Sequence, residues 1–139
     1  MRIVVVEDEA PIREGMAKLL SKINPEYELV GKAADGEAGY QLIRELNPDL
    51  VIMDIRMPKM DGIAMMKKLR EENIKCKAII LSAYSEFQYA QKAIELKADS
   101  YLLKPIKIPE LKSALKQAER EISEDQGTEQ IFSVENIML

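Results

Sequence analysis

Five short apolar runs divide this 139-residue chain, and a segment with helical spacing follows each of them. The runs are Arg2–Val6, Tyr27–Lys32, Leu50–Met53, Ala78–Leu81 and Ser100–Leu103. Continuous apolar runs of four to six residues suit strands buried on both faces. The segments between them place apolar residues three and four apart, as in Ile12, Met16, Leu19, Leu20 and Ile23, or Leu111, Leu115, Ala118 and Ile122. Pro11 suits a first helical turn, where its missing N–H is no loss. Further helices are expected over Glu37–Leu46, ended by Asn47-Pro48, over Asp61–Glu72, from an N-cap at Ser85 to about Leu96, and over Pro109–Ile122. Such alternation predicts an α/β, doubly wound, five-stranded parallel sheet covered on both faces. Beyond Ile122 the period decays into SEDQGTEQIFSVENIML. The chain therefore reads as one domain over residues 1–122, followed by a helix extension, linker or tail over 123–139.

Composition then removes whole classes of chemistry. The chain has no histidine and one cysteine, Cys76. That excludes a Ser-His-Asp or Cys-His nucleophile, a His-ligated zinc site and an internal disulfide. What chemistry remains must run on carboxylates, hydroxyls and lysines. A formal net charge of -4 gives no reason to expect non-specific binding to nucleic acid or membranes. No apolar run is long enough to span a bilayer, and MRIVVVEDE lacks the features of a signal peptide. A cytoplasmic location is expected.

The stretch LVIMDIRMPKMDG, residues 50–62, carries a buried strand straight into an aspartate. Leaving Asp54 unpaired at the rim of a core is costly, so it either caps something or does chemistry. In a parallel α/β sheet, ligands sit outside the carboxyl ends of the strands. Those ends read Glu7-Asp8, Asp54, Ser82-Ala83 and Lys104-Pro105. Taken singly, each has an ordinary role: Glu7 and Asp8 as helix caps, Asp54 in an Asx-type turn, Lys104 on the surface, Ser82 opening a loop. Together, three carboxylates at one rim repel by about 4 kcal/mol per pair at ~4 Å and a dielectric of 20, unless a cation joins them. Mg²⁺ suits such a site because it takes few protein ligands and keeps several waters. With a hydroxyl and an ammonium nearby, the set is suited to a phosphoryl group beside a carboxylate.

The stretches VVVEDEAPIR, LVIMDIRMPKMDG and IILSAYSEFQYAQKAIELKADSYLLKPI, in this order, resemble response-regulator receiver domains of bacterial two-component signalling over about Arg2 to Ile122. The resemblance implies a flavodoxin-like (βα)5 fold with strand order 2-1-3-4-5, an order for which a member of this family is a standard example. It implies that Asp54 accepts a phosphoryl group from a phosphohistidine on a sensor histidine kinase. Glu7 and Asp8 match the acid pair that holds Mg²⁺ with Asp54, and the backbone carbonyl of Arg56 would be a further ligand. Ser82 matches the hydroxyl that moves to the phosphoryl group, Lys104 the lysine that pairs with it, and Tyr101 the aromatic switch. The Lys104-Pro105 bond matches one that is cis in the family, although base rates alone favour trans.

The resemblance also implies an output face, formed by the fourth helix, fifth strand and fifth helix, which in the family often serves homodimerisation. There Phe87, Ala90, Ala93 and Ile94 are expected to face inward, and Tyr89, Lys92 and Glu95 outward, with Lys97, Asp99, Lys112 and Glu119 as further contact candidates. Lys97 stands where members often have glycine. Arg56 and Tyr84 occupy positions that vary in the family and influence dephosphorylation. The third stretch looks most like regulators with an AraC-type helix-turn-helix output domain. Residues 123–139 are too few to form one, so DNA would be reached only through a domain outside this chain. The competing enzyme reading is a small Mg²⁺-dependent phosphatase with an aspartyl nucleophile. It is weakened because Arg56 stands where such enzymes often carry a second acid. An interaction module without phosphorylation is weakened because no expected site residue is missing.

Overall fold

The computed structural model describes residues 1–83 and 87–138, the side chains of 87 and 126–138 excepted. The elements alternate in chain order as β1 (Arg2–Val6), α1 (Ala10–Ile23), β2 (Glu28–Ala33), α2 (Gly36–Leu46), β3 (Leu50–Asp54), α3 (Gly62–Glu71), β4 (Lys77–Ser82), α4 (Phe87–Glu95), β5 (Ser100–Leu103) and α5 (Ile108–Met138). The strands form a single five-stranded sheet in the order β2-β1-β3-β4-β5, and every pairing is parallel. The parallel sheet is what the strand-helix alternation predicts, and its flavodoxin-like order is what the family resemblance implies.

Burial explains which runs were easy to read. The central strands β1, β3 and β4 are covered on both faces and almost fully buried, so they are apolar except at their ends, at Arg2, Asp54, Lys77 and Ser82. The edge strand β2 is only partly covered, and it begins one residue later than expected. Tyr27 is spent on a turn, its N–H donating to the Asn24 carbonyl, while the Glu28 N–H reaches Met1 across the sheet.

Two apolar layers sandwich the sheet. On one face Val4, Val6, Val51, Met53 and Ile80 pack against α2, α3 and α4 through Ile43, Met65, Leu69 and Ala93. On the other, Ile3, Val5, Ile52, Ile79 and Leu81 pack against α1 and α5 through Met16, Leu20, Leu111 and Leu115. Alternate residues of each strand thus serve opposite layers, as the two-residue strand repeat requires. Pro11 lies in the first turn of α1, and Asp61 caps α3 by accepting the Ala64 N–H at 2.7 Å.

Two helices depart from expectation. The backbone of α5 stays helical to Met138, past Ile122. No proline interrupts residues 123–138, and the single Gly127 costs only about 1 kcal/mol relative to alanine. Lys77 helps hold this continuation, its ammonium lying 3.3 Å from Glu121 and 3.9 Å from Asp125. In α4 the inward stripe is not the one expected. Ala93 is buried, but Ile94 is 76% exposed, while Tyr89 and Leu96 pack against the core. The inward spacing is therefore i, i+4, i+7 from Tyr89, which turns Ile94 outward and Tyr89 inward, the reverse of the sequence expectation. The expected cap Ser85, the side chain of Phe87 and the position of Tyr84 lie outside the described residues.

Lys97 ends α4 in the left-handed conformation, with φ of 61°. Its N–H donates to Ile94 and the Ala98 N–H to Ala93, the paired bonds of a Schellman cap. A side chain there costs about 1–2 kcal/mol, part of which glycine returns through its freer unfolded state. Lys97→Gly is accordingly expected to raise stability by about 0.5–1 kcal/mol, read from urea denaturation. A loss of stability would mean that the lysine side chain holds α4 in place.

Candidate functional site

Parallel register brings the predicted residues together. Val6 pairs with Met53, Asp54 with Leu81, and Ser82 with Leu103. The residues that follow or end these strands therefore meet at one sheet edge: Glu7 and Asp8 after β1, Asp54 ending β3, Ser82 ending β4, and Lys104 after β5. Because β3 is the middle strand, Asp54 sits between the acids on one side and the hydroxyl and lysine on the other.

The ammonium of Lys104 bridges two of the acids. It donates to Glu7 Oε1 and to Asp54 Oδ2, each at 2.9 Å. Its own backbone N–H donates to the Ser82 carbonyl at 2.7 Å, fixing the lysine to the end of β4. Asp54 Oδ1 accepts the Ile55 N–H at 2.7 Å, so both carboxylate oxygens are held. Glu7 is only 5% exposed, and Ser82 is fully buried. Burial pushes the Glu7 carboxyl above its ordinary value, although Lys104 pulls the other way. Burial works against the Lys104 charge, but its bonds to Asp54 and Glu7 outweigh that and hold the ammonium above the usual lysine value.

The donor set fits a hard divalent cation. One carboxylate oxygen from each of Glu7, Asp8 and Asp54 lies within 4.8 Å of the others. With all three ionised, three negative charges less the one on Lys104 leave two, the charge that a dication supplies. Oxygen ligands of this kind suit Mg²⁺. The capping roles weighed from sequence are not what the structure uses for these acids. The N-cap of α1 is Glu9, which makes no side-chain cap bond, and Glu7 reaches the Glu9 N–H only at 3.5 Å.

The loop after Asp54 carries Arg56 and is tightly closed. Gly62 N–H donates to the Ile55 carbonyl at 2.6 Å, and a Cβ on Gly62 would lie 2.3 Å from the Asp54 carbonyl oxygen. The Arg56 guanidinium donates to the Tyr89 hydroxyl at 3.3 Å, linking this loop to α4. Tyr101 is partly buried and packs against the apolar layer beneath α4. The Lys104-Pro105 bond is cis, as the resemblance implied.

Of the residues expected as contacts, Lys92 and Glu95 are exposed and pair with each other at 3.3 Å, and Lys112 is exposed. Asp99 is engaged within the chain, accepting the Ala78 N–H at 2.8 Å and facing Lys77. Glu119 faces the Tyr27 hydroxyl, whose pKa is raised by burial and by that carboxylate.

Sequence reasoning missed Arg13, whose guanidinium donates to the Glu7 carbonyl at 2.8 Å and steadies the end of β1. The only sequence signal was an arginine in the turn of α1 nearest the acids. It also missed Gly36, which packs against Met60 in the loop carrying Arg56.

Comparison with known proteins shows the family. The family model described as response regulator receiver domain matches residues 3–116. The chain is 34% identical over 116 residues to the nitrate/nitrite response regulator protein NarL of Escherichia coli, covering 84% of this chain and 53% of that protein. It is 37% identical over 120 residues to the positive alginate biosynthesis regulatory protein of Pseudomonas aeruginosa, covering 86% and 48%. The chain thus spans about half the length of these curated relatives. Among solved structures, the receiver domain of AraT, a response regulator from Geobacillus stearothermophilus, aligns with a TM-score of 0.79 and 35% identity, covering 90% of this chain and 97% of that one.

Proposed function

Since the chain belongs to the family of response regulator receiver domains, we propose that it is a phosphorylation-dependent signalling switch whose phosphoacceptor is Asp54. Receiver domains of response regulators generally serve two-component signalling and generally work with histidine kinases. The observation that carries the assignment is the central, doubly held Asp54 carboxylate, facing an ammonium at 2.9 Å within an acid cluster.

Glu7, Asp8, Asp54 and the Arg56 carbonyl would hold Mg²⁺. When bound, the ion would offset charge on the transferring phosphoryl oxygens. The remaining work falls to the chain. A carboxylate oxygen of Asp54 attacks phosphorus, forming an acyl phosphate. The P–N bond of the donor phosphohistidine breaks, and its electron pair returns to the imidazole, which takes up a proton. Lys104 neutralises negative charge at the acceptor and then pairs with the phosphoryl group. Glu7 is the more buried of the two acids that Lys104 bridges, its side chain 6% exposed against 13% for Asp54, which favours Asp54 as the acceptor. Ser82 supplies a hydroxyl to the phosphorylated state, and Tyr101 turns inward as that hydroxyl moves. Hydrolysis of the acyl phosphate at the same site resets the switch, so the catalysis is confined to the protein's own phosphorylation and dephosphorylation.

The sensor histidine kinase supplies the phosphohistidine, because this chain has no histidine. The output is transcriptional, through an AraC-type DNA-binding domain. Residues 1–122 form the switch, and residues 123–138 continue its last helix toward that output. The face of α4, β5 and α5 carries the signal, with a homodimer as one form of readout, and the protein works in the cytoplasm.

Intact-mass spectrometry after incubation with acetyl phosphate tests the core of this reading. One added phosphoryl group is expected with Mg²⁺ and none after chelation. Steady release of inorganic phosphate without an accumulating adduct would instead support the phosphatase reading. Neither adduct nor release would leave an interaction module.

A further inference from the structure

We propose that the first turn of α2 is a backstop for the loop that presents the Arg56 carbonyl, and that Gly36 is the positioning residue that sets its place. The inference rests on the magnesium-dependent reading above. It begins from a contact with no space in it. A Cβ on Gly36 would fall 1.9 Å from the Met60 carbonyl oxygen, 2.7 Å from its carbonyl carbon and 2.9 Å from the Met60 Cβ. The atoms in the way are mainly backbone, so no rotamer change relieves the clash. Gly36 does not have a positive φ, so close approach and not a special dihedral demands glycine here.

The loop pressed against this turn has little freedom to absorb a push. Its Met60 N–H donates to Pro58 at 2.8 Å, its Gly62 N–H donates to Ile55 at 2.6 Å, and Lys59 is held at φ of 67°. Asp61 is fixed as the cap of α3. On the α2 side, Asp35 caps the helix through the Ala38 N–H at 2.8 Å and faces Lys59 at 3.9 Å. The two segments therefore meet along Asp35-Gly36 and Lys59-Met60, three and four residues beyond Arg56.

Magnitudes decide what this contact governs. Real Cβ atoms essentially never come within 3.0 Å of such a neighbour, so from 1.9 Å a side chain must drive the segments apart by about 1 Å. Metal ligands tolerate displacements of only about 0.2 Å, and Mg²⁺ is the strictest of the common ions. Displacing the loop by several times that tolerance moves the Arg56 carbonyl away from the three carboxylates. Gly36 touches no reacting atom, so it acts through the loop.

Gly39, one turn further along α2, supplies a matched control. A Cβ there would crowd Val6 and Met65 side chains at 2.8–3.0 Å, in the core and away from the loop. In isotope-labelled protein, Mg²⁺ affinity is read from amide shifts, stability from urea denaturation, and metal-free amide exchange of Arg56, Met57, Lys59, Met60 and Asp61 by NMR. Gly36→Ala should weaken Mg²⁺ binding on the order of tenfold, the usual scale for losing a group that orients a ligand. It should also speed exchange in the loop without metal. Gly39→Ala should lower stability while leaving Mg²⁺ affinity within about twofold.

Equal weakening by both variants, or none by Gly36→Ala, would overturn the proposal. Absence of Mg²⁺ binding by the unmodified chain would sink the magnesium reading instead. Metal-free exchange would still decide the backstop, because unchanged loop protection in Gly36→Ala rejects it. Should Gly36→Ala fail to fold, Asp35→Ala loosens the same turn from its cap. It should speed loop exchange and weaken Mg²⁺ binding by roughly threefold, and no change in either would overturn the proposal.

Discussion

Asp54→Asn is expected to take up no phosphoryl group from acetyl phosphate, while its stability stays within about 1 kcal/mol of the unmodified chain. The chemical half follows from losing the nucleophile, because an amide oxygen does not form an acyl phosphate under these conditions. The stability half follows from opposed charges. Asp54 Oδ2 lies 2.9 Å from Lys104, an attraction of about 6 kcal/mol at an effective dielectric of 20. Oxygens of Glu7 and Asp8 lie within 4.8 Å of an Asp54 oxygen, and at that outer distance each repulsion is about 3.5 kcal/mol at the same dielectric. The two repulsions together match the attraction, so removing the charge alters the balance little. Asparagine keeps an oxygen for the Ile55 N–H, and Lys104 keeps Glu7. Intact mass and urea denaturation measured side by side check both halves. An adduct on Asp54→Asn would move the acceptor to another residue. A loss of several kcal/mol would show that Asp54 is held for structure.

Much of this was legible in the sequence, for a physical reason that can be located. A parallel sheet places the carboxyl ends of its strands side by side, so the residues after five apolar runs had to share one edge. Glu7, Asp8, Asp54, Ser82 and Lys104 could therefore be gathered before any coordinates. Strand burial was as plain, because β1, β3 and β4 are covered on both faces and tolerate little but apolar residues. The unread parts depend on contacts between segments distant in sequence. Tyr89 faces inward because α4 packs against the layer that includes Ala93 and Leu96, and the alternative stripe through Ile94 was equally periodic on paper. The continuation of α5 has no apolar period to announce it, and its helix is held partly by Lys77 from β4. Gly36 meets Met60 across 24 positions, and glycine before a helix reads locally as an ordinary cap neighbour. Arg13 reaches a carbonyl, which carries no signature in sequence at all.

Lys104 was expected to matter once a phosphoryl group is present, yet its bridge between Glu7 and Asp54 gives it a second job beforehand. Lys104→Met keeps most of the aliphatic stem and the backbone bond to Ser82 but removes the charge. Glu7 and Asp54, with side chains 6% and 13% exposed, then face each other without the Lys104 ammonium between them. Breaking a buried ion pair by removing one partner costs about 3–5 kcal/mol, and the 22% exposure of the lysine side chain lowers that to roughly 2–3 kcal/mol. For a chain of this size the melting temperature should fall by about 10 °C in chelator. Mg²⁺ should recover more of this loss than it adds to the unmodified chain, because binding to the native state alone is stabilising and the ammonium no longer competes for the same oxygens. Paired thermal melts of both proteins, in chelator and in millimolar Mg²⁺, measure the difference directly. A gap that narrows with Mg²⁺ assigns the lysine the role of a counter-ion for the acid cluster when metal has been chelated away. A gap of equal size in both buffers would mean that the stem and its packing, not the charge, are what the site requires of Lys104.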